Sequence, residues 1–495
     1  MSRDAVTRRL VLKRSVATTV GLAQATLLAA CGGTQTAVTT RTIVSSPSSS
    51  ASITTAAPAV VAASATTALA TSATATVATT ATSSVAPKAI APAGATHLQM
   101  LIEANPAGIT LFQTKLLPEF SASHPGVTID FGPGIDLTKL RTLFAGGTGP
   151  DLYTNGSAFV PAVAGGLAVD LGSRINQWGQ LDDFFPASLV SSQWNGKQWG
   201  LPVMVAARTY MWRKDVLAQV GITAIPTTWD EVVDAARRTT TVTGQQIVRV
   251  GFNPPDPWLS FIQALLSTGK TLVRDGKVEF GGDEGMAVLQ YMLDLNTAIR
   301  PAGATPPGGA EAAQYASGIV VNRWGNTAAI HDVSQYPSND LAGIVVADPT
   351  VPSANGKYRM PVGDTITPTC LNFSDWVALG TQSKALDVAW AVLQYLVSPQ
   401  PLLAYDETLY YQPPRKSVAN QGFMQEPHLQ QMVQVFAKYG QAQIRVPDQA
   451  FFIKTFTDMG TSVLSGKTDA KTALAEAARL IQGNVTQQGY TGTTL

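Results

Sequence analysis

The sequence predicts an α/β body divided into two lobes. Three observations carry that prediction. Segments of alternating apolar residues take turns with segments of helical period. The chain, at 495 residues, is longer than one hydrophobic core usually supports. Its 45% hydrophobic content is enough to fill two cores.

The elements follow in order. "HLQMLIEANPAG", from His97, alternates apolar residues at Leu98, Met100 and Ile102 and breaks at Asn105-Pro106, as a strand running into a loop does. A helical pattern passes through Leu116, Leu117 and Phe120, and "PGVTIDF" supplies a second strand from Val127. A helix through Leu137, Leu140, Leu143 and Phe144 leads to the short strand "DLY" at Asp151. Strands alternating with helices predict a largely parallel sheet. In "PTTWDEVVDAARR", Thr228 and Glu231 have the spacing of a capping box. "SKALDVAWAVLQYLVSP" is expected to be capped by Ser383 and to stop before Pro399, and "TDAKTALAEAARLIQG" to end at Gly483.

Ahead of this body stands an address. Arg8, Arg9, Lys13 and Arg14 precede a moderately apolar stretch from Val16 to Ala30, which is too short and too rich in Thr, Gln and Gly to span a membrane. The arginine pair resembles a twin-arginine export signal, with Val11 where an aromatic is commoner. Leu28-Ala29-Ala30-Cys31 resembles the bacterial lipobox, which implies lipidation of the Cys31 thiol and cleavage before it. Each buried acyl methylene contributes roughly 0.8 kcal/mol, so such a cysteine anchors a domain without a spanning helix. An ordinary signal peptide with an incidental cysteine is the alternative. From Thr34 to Thr96 the chain is Thr, Ala, Ser and Val with only Arg41 and Lys88 charged, a composition that predicts a disordered tether. As a flexible coil it spans roughly 40–50 Å.

Charge and motif content exclude several functions. Lys+Arg 34 against Asp+Glu 33 gives no general attraction to nucleic acid. His97, His124, His331 and His428 are scattered without metal-ligand spacing, and no G-x-S-x-G motif occurs, so no catalytic residue, metal or cofactor is predicted. "GKT" at Gly269 and at Gly466 lacks the glycine a phosphate loop needs, Ala264 and Thr461 standing in its place. Cys370, the other cysteine, reads as a small buried apolar side chain.

Four stretches carry a resemblance: "GGTGPDLYTNGSAFVPAVAGGLAVDL" from Gly146, "WNGKQWGLPVMVAARTYMWRKDVLAQVGITAIPTTWDEVVDAA" from Trp194, "YASGIVVNRWGN" from Tyr315 and "ALGTQSKALDVAWAVLQYLVSP" from Ala378. With "SGKTDAKTALAEAARLI" from Ser465 they resemble the extracellular solute-binding proteins of bacterial ABC importers, family 1, the sugar-binding type. The resemblance implies the periplasmic-binding-protein fold of type II, with ligand held in a cleft between two hinged lobes. It implies a signal peptide with lipobox over 1–30, lipidated cysteine and tether over 31–96, lobe 1 over 97–204 and 363–413, and lobe 2 over 205–362 and 414–495. It also implies a carbohydrate ligand, permease subunits as partners, a lipid anchor at the outer face of the cytoplasmic membrane, and binding without chemistry. Trp212-Arg213 stands ahead of Lys214-Asp215 where the family usually has Tyr-Asn, so a contact made by that Asn is not carried over.

Sugars present hydroxyls at the rim and C–H groups on the ring face, so their sites pair polar groups with aromatic platforms. The tryptophans sort on that basis. Trp212, Trp229 and Trp390 read as core, and Trp194 and Trp199 as supports of the turn "NGKQ". Trp178, Trp258, Trp324 and Trp376 are the platform candidates, joined by Phe452 and by Tyr411 at the third crossing. Glu103 and Asn105 end the first strand, and Asn155, Gly156 and Ser157 follow the strand after Asp151, where open α/β sheets bind ligands. The same residue types also serve tight turns. Asp364, in the returning segment, completes the set. Two other readings stay open: a binder of a polyamine, metal or other polar solute, and, less well supported, a glycan-active surface enzyme.

Overall fold

The computed structural model describes residues 95–154, 159–335, 341–353, 355–358, 366–442 and 444–492. The export signal, Cys31 and residues 34–94 of the expected tether lie outside the described residues, as do Asn155, Gly156, Ser157 and Asp364, while Thr96, expected to end the tether, opens the first strand. All the described residues belong to one unit, Ser84–Leu495.

Strand β1 (Thr96–Ile102) buries Leu98, Met100 and Ile102 and exposes or half-exposes the residues between, the period-two pattern of its sequence. It pairs in parallel with β2 (Val127–Pro133), Thr96 opposite Val127 through Ile102 opposite Pro133, and with β3 (Leu152–Tyr153) on its other edge. β4 (Gly200–Met204) belongs to the same sheet, but its neighbour there comes from far along the chain. That neighbour, Asp375–Leu379, lies antiparallel to both β3 and β4, giving a five-stranded mixed sheet.

After β4 the chain enters a second sheet. β5 (Thr209–Arg213) is buried on both faces and sits between β6 (Asn322–Gly325) and β7 (Ile344–Ala347), antiparallel to each. β8 (Cys370–Asn372) then leads into β9, the Asp375–Leu379 strand already described. β8 pairs in parallel with β10 (Gly440–Ala442).

Helices cover both sheets. α1 (Pro106–Leu111) starts at Asn105, whose side chain accepts the Gly108 N–H at 2.8 Å. α2 (Leu137–Ala145) buries Leu140 and Phe144. α3 (Trp229–Thr239) has the capping box its sequence predicts, Thr228 and Glu231 bonding reciprocally. α4 (Pro257–Ser267) and α5 (Asp283–Ile299) pack beside it around the core of the second half. α6 (Leu386–Leu396) and α7 (Pro399–Leu409) pack on the five-stranded sheet, and α8 (Pro427–Tyr439) on β7. α9 (Gln449–Leu464) and α10 (Ala470–Gln487) close the chain. Phe456 on α9 stacks on Phe261 of α4 at 5.3 Å and meets Phe280 edge-on at 5.0 Å.

Two element ends differ from expectation. Ser383 does not cap α6 at its first turn: its hydroxyl accepts from Ala385 N and donates to Asp151, tying the approach to the helix back to β3. α10 runs through Gly483 to Gln487, because Ile481 and Val485 still fall on its buried face and packing outweighs the weak helix propensity of one glycine.

Between the sheets the chain passes three times: from β4 to β5, from β7 to β9, and from α7 to α8. These segments are laced together. Val205 and Gln412 exchange both backbone hydrogen bonds, at 2.7 and 3.2 Å, and Arg208 N–H donates to Leu371 C=O at 2.8 Å. The Cys370 thiol, buried beside them, donates to the Arg208 carbonyl.

Candidate ligand cleft at the crossings

Four side chains converge where the crossings meet the second sheet. Arg208 closes the first crossing. Trp324 stands on β6 opposite Tyr210, and Phe373 follows β8 directly. The Arg208 guanidinium carbon lies 5.6 Å from the Trp324 ring centre and 5.7 Å from that of Phe373, a cation held between two π faces. Trp258, second residue of α4, meets Phe373 edge-on with centroids 6.3 Å apart. Burial lowers the Arg208 pKa, while the Tyr411 phenol and Glu311 act to raise it and Arg323 adds to the lowering. Arg323 is itself paired with Glu311 at 3.1 Å and Asp332 at 3.5 Å.

Two donors at this place lack a protein partner. The Nε of Arg208 and the Nε1 of Trp324 are both buried without a hydrogen bond. Both atoms are closed off from solvent, so what this place offers a ligand is the partly exposed ring faces of Trp258, Trp324 and Phe373 and the terminal nitrogens of the Arg208 guanidinium, which no side chain or carbonyl among the described residues engages.

The five-stranded side contributes acids. Glu103, exposed at the end of β1, has its backbone N–H bound by Thr154 Oγ1 at 2.5 Å, which fixes the strand end while leaving the carboxylate outward. Asp375 opens β9; burial first, and then the Glu103 charge, push its carboxyl up to about 7. The Tyr405 hydroxyl donates to the Glu103 carbonyl at 3.5 Å, and burial raises its own pKa, Asp375 and Asp406 adding to the shift. Tyr411 is half-buried against this core. Asn105 is exposed, with its Oδ1 committed to the α1 cap.

Two predicted platforms are corrected. Trp376 is 2% exposed and packs edge-on against Phe159 at 4.6 Å and Tyr153 at 6.0 Å, in the core under β3. β9 is buried on both faces, Trp376 and Ala378 facing one core and Val377 and Leu379 another, so proximity to the returning crossing does not place that ring in the cleft. Phe452 is 1% exposed: with Phe456, Met459 and Val463 it forms the buried stripe of α9, and the helix phase turns it away from any ligand. Trp324 lies within β6 rather than after it, and Trp258 is at the helix entry its sequence predicts.

The residues that sequence reading missed are Arg208 and Phe373. A signal for Arg208 existed: it is the one charge between Pro202 and Trp212, in a run otherwise apolar or uncharged. Phe373 had none, since its role follows from long-range pairing. A groove of about 570 Å³ also opens between α2 and the start of α9, lined by Arg141, Pro161, Gln449 and Lys454 among others. Among the described residues no group of three or more His, Cys, Asp or Glu is placed to hold a metal ion, and no helix is long and apolar enough to cross a membrane.

Two α/β halves joined by three laced crossings, with aromatic and charged side chains gathered there, define a two-lobed binding protein. The chain belongs to the bacterial extracellular solute-binding proteins, which its residues 104–401 match. Among solved structures, the sugar-binding protein MalE of the phytopathogen Xanthomonas citri superposes with a TM-score of 0.67 at 17% identity, covering 80% of this chain and 98% of that one. The cyclic α-maltosyl-1,6-maltose binding protein of Arthrobacter globiformis gives 0.63 at 21% identity, covering 80% and 100%. A solute-binding protein of Agrobacterium radiobacter K84 in complex with ribitol gives 0.61 at 22%, covering 79% and 100%. These likenesses establish the fold. A relative from Brucella abortus (strain 2308) is 25% identical over 321 residues, 61% of this chain and 72% of its own, and its name specifies no ligand.

Proposed function

We propose that this protein captures a carbohydrate between its lobes and delivers it to the permease subunits of an ABC importer, performing no chemistry on it. The observation that carries the reading is the wall at the crossings: Trp258, Trp324 and Phe373 offer partly exposed ring faces for sugar C–H groups, and the terminal nitrogens of Arg208 beside them offer donors to ligand oxygens. Structural neighbours named for sugars and polyols support it. Glu103, Asn105 and Tyr411 supply polar groups from the opposite lobe, and Asn155, Gly156, Ser157 and Asp364 join them in this reading. Ligand touching both lobes stabilises the shut state, which the permease reads. The lobes divide at the crossings, with 97–204 and 363–413 in one and 205–362 and 414–495 in the other. Cys31 carries the lipid that holds the exported protein to the outer face of the cytoplasmic membrane, with 34–96 as tether.

The test is thermal denaturation of the full chain against a panel of mono- and oligosaccharides, polyamines and divalent metals. A sugar at about one hundred times its dissociation constant stabilises by roughly 2.7 kcal/mol. A shift with a polyamine or metal and none with any sugar overturns the ligand class.

A further inference from the structure

The inference deepens the carbohydrate reading and rests on it. Arg208 stands apart from the other well-buried arginines that carry a charge partner. Arg213 is bidentate to Asp215 and bonds the carbonyls of Tyr315 and Ala316. Arg323 has Glu311 and Asp332. Arg208, by contrast, hydrogen-bonds only through its backbone, and among the described residues no carboxylate lies within ion-pair distance of its guanidinium. A desolvated cation without a counter-charge is costly, and two flanking rings relieve only part of that cost. The same two rings clamp the planar fork in one orientation, the preorganisation that bidentate capture of a carboxylate requires. A neutral hydroxyl supplies acceptor oxygen but no charge.

We propose that Arg208, clamped between Trp324 and Phe373, is an anion-recognising residue, and that the ligand is an acidic carbohydrate bearing a carboxylate, such as a uronic acid or an oligosaccharide containing one. The aromatic wall takes the ring face and Arg208 takes the carboxylate. On this account the two terminal nitrogens, which no group among the described residues engages, form the fork.

The experiment uses the full chain and compares trigalacturonate with its methyl ester, and glucuronoxylotriose with xylotriose, by calorimetry at low and high salt. The expected result is at least tenfold tighter binding of an acid than of its uncharged counterpart, with the preference shrinking as salt rises. In Arg208→Gln the preference should vanish, and in Arg208→Lys part of it should remain because charge is kept and the fork is lost. Equal or tighter binding of the neutral counterparts overturns the inference while leaving the carbohydrate reading in place. Failure of every sugar, acidic or neutral, overturns both. The comparison of ligands on the unaltered protein decides the matter even where a variant does not fold.

Discussion

Two arginines on the crossings sit in nearly the same aromatic setting and differ in everything else. Arg415, on the third crossing and packed against elements of the five-stranded half, lies 5.3 Å from the Phe184 ring and 5.9 Å from that of Trp178; Arg208 lies 5.6 and 5.7 Å from its two rings. Around Arg415 the protein supplies every partner: Asp183 at 2.6 Å, the Val397 carbonyl at 2.9 Å and Gln180 at 3.0 Å. Around the Arg208 guanidinium the described residues supply no hydrogen-bond or ion-pair partner. The contrast teaches that a cation between rings is only a setting. Whether it braces the fold or awaits a guest is decided by what meets the guanidinium edge.

The largest effects should come from the satisfied side. Arg415→Ala leaves Asp183 without its counter-charge and should cost about 3–5 kcal/mol by chemical denaturation. The equivalent change at Arg208 removes an unpaired charge and should leave stability within about 1 kcal/mol of the original. Equal losses at both positions would erase the distinction.

Next comes the pair of tryptophans. Trp376→Ala empties a core site and should cost about 3–5 kcal/mol. Trp324→Ala should cost less than about 2 kcal/mol and abolish the thermal shift with sugar. A Trp324 variant that still responds to the ligand moves the platform elsewhere.

A further effect depends on pH. Asp375 keeps its proton to about pH 7 in the folded chain, because burial and Glu103 disfavour its charge, whereas its ordinary value is 3.8. The folded state therefore binds more protons between those values, and its stability falls as pH rises through that window. Asp375→Asn should flatten this stretch of the pH–stability curve, gaining stability near about pH 8 and leaving it unchanged near about pH 4. An unaltered slope would assign the effect to another group.

The fold was legible because its signals are local. The alternation of Leu98, Met100 and Ile102 and the Thr228–Glu231 capping box each lie within one element, and each is present as expected. The proposed ligand wall was half legible. Trp258 and Trp324 stand beside the crossings, but the wall is assembled from segments far apart in sequence, so Phe373 and Arg208 gave little warning. The two misplaced aromatics failed for a single reason: Trp376 and Phe452 were judged by neighbourhood, and the phase of a strand or helix decides which way a ring points.

The lacing of the crossings has a mechanical consequence. Sliding Val205 past Gln412, or Arg208 past Leu371, would break backbone hydrogen bonds that nothing nearby replaces, whereas flexing all three segments together keeps them. Relative sliding of the segments is thereby opposed, and bending all three together is the less costly motion. A solute entering from any direction then meets the same two halves moving along the same path.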